Sequence, residues 1–208
     1  MMRPMKLAGS ELMFGEGCLE YIKTIKVEKV SIVVGGKSME RSGMLAKVEG
    51  YFHEAGAETM VISGVEPDPS FETVMRGAQE MLGFGPDLIV GLGGGSAMDA
   101  AKAMWAFYEY PEVTFEQLCT PFSFPKLRQK AKFVAIPSTS GTATEVTAFS
   151  VITDYAKGII DITNEMGPYY VLTDDVALIH GRPETGVLKK QLAVTVLRKP
   201  IKFSEDGK

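Results

Sequence analysis

The stretch DLIVGLGGGSAMDAAKAMW, residues 87–105, decides the fold, because it runs from an apolar segment through a glycine cluster into an alanine-rich segment. The apolar residues are typical of a buried strand, and the later spacing predicts a helix that begins near Ser96, with Ser96 as N-cap and Asp99 completing a variant of the capping box. Glycines at such a junction let the backbone approach a ligand closely, and the first N–H groups of a helix attract an anion. The spacing resembles, without matching, the fingerprint G-x-G-x-x-G. The stretch therefore predicts a pyrophosphate site, and a tight turn without a ligand is the alternative.

Apolar segments alternate with amphipathic ones along most of the chain. The β-branched and apolar segments predict strands over residues 29–36, 58–65, 87–95, 132–137 and 149–154. Helical spacing predicts helices over residues 39–56 and 70–85 and from Ser96 onward. This alternation predicts an α/β fold: a doubly wound, mostly parallel sheet with helices on both faces.

The helix over residues 70–85 has a defined start and a defined apolar face. Ser70 is expected to be its N-cap, and a glycine ends it. The residues expected on its apolar face are Phe71, Val74, Met75, Ala78 and Leu82.

A second stretch of small residues, PSTSGTATEVTAFSVITD, residues 137–154, also leaves a strand. Seven hydroxyl side chains lie between Ser138 and Ser150, and short donors and acceptors of this kind can surround a polar ligand. A Ser/Thr-rich surface loop without a ligand is an equal alternative for this stretch considered by itself.

Composition restricts the class of protein. The 208 residues carry a net charge of −4, are 45% hydrophobic and 23% charged, and have a pI near 5.4. These values are typical of a globular protein without the basic field that nucleic acid binding needs. Neither a signal peptide nor an apolar run of the ~20 residues needed to span a membrane is recognisable. Two cysteines predict neither a disulfide framework nor a metal site, so we expect a cytoplasmic protein.

Two motifs in this order resemble the iron-containing (group III) alcohol dehydrogenase family. GGGSAMDAAK resembles the family's GGGS-x-x-D-x-A-K segment, and PSTSGTATEVT resembles its P-T-T-x-G-T-x-S-E-V-T segment. ELMFGEG and SGVEPDPSFETV resemble two shorter family segments. The resemblance implies a Rossmann-like domain, similar to the N-terminal domain of dehydroquinate synthase, followed in the family by a helical domain that holds Fe²⁺ or Zn²⁺. It also implies NAD(P)-dependent interconversion of a small alcohol and its aldehyde by hydride transfer.

The resemblance carries cofactor roles onto matching positions of this chain. Gly94, Gly95 and Ser96 are implied to hold the pyrophosphate. The residues implied to line the nicotinamide and ribose side are Thr139, Thr142, Thr147, Phe149 and Val151. Asp99 is interpreted as a helix cap or loop organiser and not as an acid.

The residue after the first predicted strand of the sheet bears on the choice of cofactor. Many NAD-preferring family members have an aspartate there, whereas this chain has Gly36, followed by Lys37, Ser38 and Arg41. Without that carboxylate a 2′-phosphate would meet no repulsion, so Gly36 is included in the predicted cofactor site and NADP(H) is preferred over NAD(H). Solvated surface positions are the alternative for Lys37 and Arg41.

The family's metal ligands have no counterparts in this sequence. The resemblance implies one aspartate and three histidines beyond the nucleotide domain, but the chain contains only His53 and His180. Ile160 also stands where the family often has a cofactor-contacting lysine. We therefore assign neither a catalytic residue nor a metal ligand.

These departures predict a truncated family member. We expect a dinucleotide-binding domain over residues 1–180 and a divergent tail over residues 181–208 in place of the helical domain. An apolar face normally covered by that domain would then favour self-association or a homodimer. A non-catalytic nucleotide-binding fragment is the main alternative, and a lyase related to dehydroquinate synthase is the least favoured.

Overall fold

A computed structural model of the chain describes residues 3–7, 10–119, 125–153, 171–173 and 176–177. The chain divides into two units, Met1–Ile162 and Thr163–Lys208. In the first unit, strands β1 (Arg3–Leu7) and β2 (Ser10–Phe14) form an antiparallel pair, and a 3₁₀ helix, Cys18–Thr24, follows.

The centre of the first unit is a parallel sheet of four strands. These are β3 (Lys29–Gly35), β4 (Glu58–Val65), β5 (Leu88–Gly93) and β6 (Lys132–Pro137), hydrogen-bonded in the order β4–β3–β5–β6. Strand β4 pairs with one edge of β3, and the chain then returns so that β5 pairs with the other edge of β3. The strand order therefore reverses between β3 and β5, which is where open α/β sheets form their ligand crevice.

Helices cover both faces of this sheet, as the alternating sequence predicted. They are α1 (Ser38–Arg41), α2 (Met44–Glu54), α3 (Phe71–Phe84), α4 (Gly95–Glu109) and α5 (Phe115–Cys119). On one face Val48 and Phe52 of α2 are fully buried together with Ile32 of β3. On the other face Met81 of α3 and Met104 of α4 are fully buried. The predicted doubly wound α/β fold is confirmed.

The predicted helix over residues 39–56 is divided in two. Gly43 has φ +72°, a left-handed backbone conformation that residues with a side chain rarely adopt, and it separates α1 from α2. Glycine therefore permits a bend that the hydrophobic spacing alone did not reveal.

Helix α3 begins as predicted, and four of its five expected core residues lie in or against the core: Val74 and Ala78 are buried, and Phe71 and Met75 are partly buried. The Ser70 hydroxyl accepts a hydrogen bond from the Thr73 N–H at 3.2 Å, which confirms the N-cap. Leu82, expected in the core, is 37% exposed, and Met81 is fully buried instead. A Cβ on Gly77 would come within 2.4 Å of the Met104 sulfur, so α3 and α4 pack closely where Gly77 lacks a side chain.

The chain enters β6 through contacts with a buried carboxylate. Glu109, at the end of α4, accepts a hydrogen bond from Trp105 Nε1 at 2.9 Å. It also accepts hydrogen bonds from backbone N–H groups of the segment before β6, including those of Gln129 and Lys130 at 3.1–3.2 Å. These bonds satisfy an acid that is only 5% exposed, and they fix the approach to β6.

The predicted strand over residues 149–154 is wrong for its described part. Residues 149–153 form no strand, and a single parallel bridge joins Ser70 to Thr153. Two backbone bonds make this bridge, from Phe71 N to Thr153 O at 2.9 Å and from Thr153 N to Pro69 O at 2.8 Å. The segment pairs with the loop before α3 and not with the sheet edge, so its β-branched residues did not produce a strand.

The described residues of the second unit form a short antiparallel pair, β7 (Val171–Thr173) and β8 (Val176–Ala177). The predicted domain boundary at residue 180 lies outside the described residues and stays a prediction. Among the described residues, no helix is both long enough and apolar enough to cross a lipid bilayer.

Candidate functional site

Three loops leave the carboxyl edge of the sheet near the point where the strand order reverses. Gly36 follows β3, the glycine cluster follows β5, and the hydroxyl-rich loop from Ser138 onward follows β6. Because β3, β5 and β6 are adjacent and parallel, the three loops lie at the same edge. The two stretches singled out from the sequence therefore meet in space.

The glycine cluster places the start of α4 at this edge. Gly93 has φ +145°, which favours glycine, and Gly94 is the N-cap, two residues earlier than expected. The first helical bond runs from Met98 N to Gly94 O at 3.3 Å, which leaves the N–H groups of Gly95, Ser96 and Ala97 without an intrahelical acceptor. The prediction that Ser96 is the N-cap is wrong, because the chain already enters the helix at Gly95.

The hydroxyl-rich loop packs directly against the glycines. Ser138 N donates to Gly93 O at 2.8 Å. A Cβ on Gly94 would lie 3.4 Å from Thr139 Oγ1, and a Cβ on Gly95 would lie 3.3 Å from Thr142 Cγ2. Any larger residue at Gly94 or Gly95 would therefore fill the narrow space between helix and loop.

The predicted cofactor residues at this edge are accessible to a ligand. Gly94, Gly95 and Ser96 are half-buried, whereas Thr139 and Thr142 are exposed. Backbone N–H groups, hydroxyl groups and the absence of Cβ atoms suit the pyrophosphate of a dinucleotide. The residues present therefore fit the group that the sequence implied.

The remaining predicted residues of the loop lie further along it. Thr147 is half-buried, and Phe149 and Val151 are 44% and 39% exposed. The structure places them on the loop that contacts the glycines, and their cofactor roles stay predictions.

Gly36 has its own conformational requirement at the end of β3. Its φ is +53°, and its N–H donates to Val65 O at 3.3 Å. Lys37, Ser38 and Arg41 are exposed around it. Two cations therefore lie near the crevice, where no aspartate follows the strand.

Lys102 and Asp99 form an ion pair on α4, next to the candidate site. The sequence did not predict a functional role for this pair. Lys102 Nζ lies 3.4 Å from Asp99 Oδ1, and each side chain is 13% exposed. Lys102 also donates to the carbonyl oxygens of Thr144 at 3.1 Å, Thr147 at 3.3 Å and Phe149. The sequence does show two opposite charges three residues apart in the GGGSAMDAAK motif, which is the spacing of an ion pair on a helix. The carbonyl groups that accept from Lys102, however, come from a distant part of the chain.

Asp99 contacts the loop, in agreement with one of its two sequence interpretations, and it does not cap the helix. Its carbonyl oxygen accepts a hydrogen bond from Ser150 Oγ at 2.8 Å. Burial raises the pKa of its carboxyl group to about 6, and the Lys102 ammonium opposes this rise. Burial likewise lowers the pKa of Lys102, which Asp99 opposes.

The described residues do not fit a metal site. They contain no group of three or more His, Cys, Asp or Glu side chains that could hold an ion. His53 is exposed, and its Nε2 lies 2.8 Å from Thr59 Oγ1, away from the carboxyl edge. His180 and Ile160 lie outside the part of the chain that the structure describes.

The sheet with its glycine-rich turn and facing loop defines a Rossmann-like α/β domain. Comparison with known proteins identifies the family: this chain belongs to the iron-containing alcohol dehydrogenases, whose model matches residues 9–175. The resemblance drawn from the two motifs is thus confirmed.

Individual relatives agree with this assignment. An NADPH-dependent butanol dehydrogenase of Clostridium saccharobutylicum is 55% identical over 169 residues, 81% of this chain and 42% of the relative. An alcohol dehydrogenase of Thermococcus barophilus is 39% identical over 175 residues, 79% of this chain and 45% of the relative. A solved iron-containing alcohol dehydrogenase from Thermococcus thioreducens matches with a TM-score of 0.62 at 40% identity, over 68% of this chain and 39% of the other. The chain therefore spans less than half the length of these relatives.

Proposed function

We propose that this chain binds a nicotinamide dinucleotide, with NADP(H) preferred over NAD(H), and serves the interconversion of a small alcohol and its aldehyde. The observation that carries the proposal is the packing of Gly94 and Gly95 against Thr139 and Thr142 at the carboxyl edge of the sheet. It leaves the first N–H groups of α4 facing a space that only glycine keeps open.

The pyrophosphate is held by the start of α4. Its dipole and the N–H groups of Gly95, Ser96 and Ala97 favour an anion, and backbone donors approach it closely where no Cβ intervenes. The hydroxyl groups of Thr139 and Thr142 are exposed beside this point and can bond the adjoining ribose and nicotinamide side of the cofactor.

The preference for NADP(H) rests on the loop after β3. Lys37 and Arg41 are exposed cations next to Gly36, and charge-assisted bonds from such groups recognise a phosphate. The name of the Clostridium saccharobutylicum relative, an NADPH-dependent enzyme, supports the same preference.

Within the reaction, the bound nicotinamide supplies or accepts the hydride. The part of the chain that we assign to it holds the dinucleotide and orients the nicotinamide through the loop that contains Thr147, Phe149 and Val151. Relatives named butanol and alcohol dehydrogenases support a short alcohol or aldehyde as the substrate.

A second candidate function is cofactor binding without turnover. It is favoured by one observation: the whole sequence contains two histidines, fewer than the three that the family's metal site implies. Under this proposal the chain retains a nucleotide-binding module and lacks the Lewis acid that polarises the substrate oxygen.

Binding and turnover assays on the purified chain test both functions together. Titration calorimetry should show tighter binding of NADPH than of NADH, and failure to bind either would contradict both proposals. Metal content and NADPH oxidation with butyraldehyde then separate them. Metal-dependent turnover supports the enzyme, whereas binding with neither metal nor turnover supports the module.

We further propose that the protein is cytoplasmic and that it self-associates. Three apolar side chains, Val146, Phe149 and Val151, are 39–48% exposed within six residues of each other, which favours association in water. Light scattering at increasing protein concentration should show a rise in the mean molar mass. A molar mass that stays at the monomer value would contradict self-association.

A further inference from the structure

The loop after β6 is attached to α4 in part through one largely buried ammonium group. Lys102 donates to the carbonyl oxygens of Thr144, Thr147 and Phe149, which lie 42–47 residues away in sequence. These acceptors are spread over six consecutive positions that contain no strand, so the sheet ladder does not hold them.

Lysine suits this position because its ammonium group carries three donors and no acceptor. With Asp99 Oδ1 at 3.4 Å, four acceptors surround these three donors, so the ammonium is fully engaged with protein groups. Bonds from a charged donor in a site that is 13% exposed are stronger than neutral bonds at the surface.

The loop itself is locally organised by backbone hydrogen bonds. Val146 N and Thr147 N both donate to Ala143 O, at 3.0 and 3.1 Å, which forms a turn. Ala143 has φ +54°, an uncommon conformation for a residue with a side chain. Such a turn needs support from its surroundings, and Lys102 donates to carbonyl groups within the turn and just after it.

The same helix carries the glycine end of the site. Gly95 and Lys102 are seven residues apart, which is about two helical turns or ~10 Å along the axis. Helix α4 therefore contacts the loop at three places: at Thr142 beside Gly95, at Ser150, whose Oγ donates to Asp99 O, and at the three carbonyl groups that accept from Lys102.

We propose that Lys102 is a positioning residue, which sets the loop from Thr144 to Val151 relative to the glycine end of α4. It thereby orders the nicotinamide side of the site and leaves the pyrophosphate side largely unaffected. Its effect on the ligand rests on the proposed dinucleotide function, whereas its effect on the loop does not. Because its donors are all engaged, Lys102 acts through the loop and not on the substrate.

Two matched ligands separate a positioning role from a general loss of structure. NADPH contains the nicotinamide, and 2′-phospho-ADP-ribose has the same adenosine, 2′-phosphate and pyrophosphate without it. Lys102→Met should weaken NADPH binding by about tenfold, as expected for the loss of charge-assisted bonds, and should change 2′-phospho-ADP-ribose binding by less than about twofold. Lys102→Gln, which keeps two donors, is the milder variant if Lys102→Met does not fold. Lys47→Met, on exposed Lys47 of α2, is the control and should leave both affinities unchanged.

Amide hydrogen exchange tests the loop without any ligand. In the Lys102 variants, exchange of Val146 and Thr147 should accelerate by about tenfold or more, while β5 and α3 keep the protection of the unaltered chain. Unchanged exchange in this loop would overturn the proposal, as would equal weakening of both ligands. If the unaltered chain binds no NADPH, the proposed function fails, and the exchange result still decides the role of Lys102.

Discussion

Gly95, the first residue of α4, lies so close to Thr142 that a Cβ added to it would be 3.3 Å from Thr142 Cγ2 and 3.3 Å from Thr144 Oγ1. This contact joins the glycine cluster to the hydroxyl-rich loop. A side chain at Gly95 would therefore press directly against this loop.

We expect Gly95→Val to weaken NADPH binding by at least about tenfold, because its side chain would press on Thr142 and Thr144 and displace the loop that packs against the start of α4. Calorimetric titration measures the effect. Gly50→Ala is the matched control, since a Cβ at this position of α2 would meet no atom within 4 Å. It should keep the affinity and stabilise the fold by about 0.5–1 kcal/mol. Wild-type affinity in Gly95→Val would contradict the site.

The two serines at helix starts should differ in stability. Ser70 is a true N-cap of α3, so Ser70→Ala should lower the free energy of unfolding by about 1 kcal/mol. Ser96 lies inside α4 and caps nothing, so Ser96→Ala should change it by less than about 0.5 kcal/mol. Urea denaturation compares them, and equal losses would show that Ser96 does cap the helix.

Acid should destabilise the loop before α3 through Glu66. Partial burial raises the pKa of Glu66, but hydrogen bonds from Ser70 and Thr73 outweigh this effect and lower the pKa to about 2. A carboxylate whose folded pKa lies below its ordinary value of 4.5 contributes stability above about pH 4.5. That contribution is lost as the pH falls from 4.5 towards 2.

Melting temperatures between pH 2 and 6 measure this loss. Glu66→Gln should flatten the dependence over that interval, and Thr73→Val, which removes one donor to Glu66, should give an intermediate slope. An unchanged slope in Glu66→Gln would assign the acid sensitivity to other groups.

The cations beside Gly36 should determine the choice of cofactor. Replacing Lys37 and Arg41 together by Gln should weaken NADPH binding by about tenfold and leave NADH binding within about twofold, because only NADPH carries a 2′-phosphate. Competitive titration with both cofactors measures the ratio. If binding of the two cofactors were weakened equally, these residues would not be the ones that recognise the 2′-phosphate.

The strands of the sheet could be predicted because each is a short, mainly apolar segment with a glycine or proline in its last two residues. Gly93 explains why the helix start was misplaced: its positive φ turns the chain early, so Gly94 and not Ser96 becomes the cap. Leu82 and Met81 are adjacent in α3, and the choice of the buried one depends on how α3 meets α4, which helical spacing does not specify.

Longer-range contacts account for the other differences. The β-branched segment after Phe149 pairs with the loop at Ser70, 83 positions before Thr153, so local propensity had no information about its partner. The role of Lys102 was hidden for the same reason, because its acceptors are backbone carbonyl groups that any residue could supply. The glycines of the site were identifiable, since their requirement is local.

Amide hydrogen exchange at Gly95, Ser96 and Ala97, with and without saturating NADPH, tests the proposed site most directly. If these N–H groups bind the pyrophosphate, NADPH should slow their exchange by about tenfold or more and leave the distant amides of α2 unchanged. NADPH binding without added protection at these three amides would contradict the proposed site, and no binding at all would contradict the proposed function.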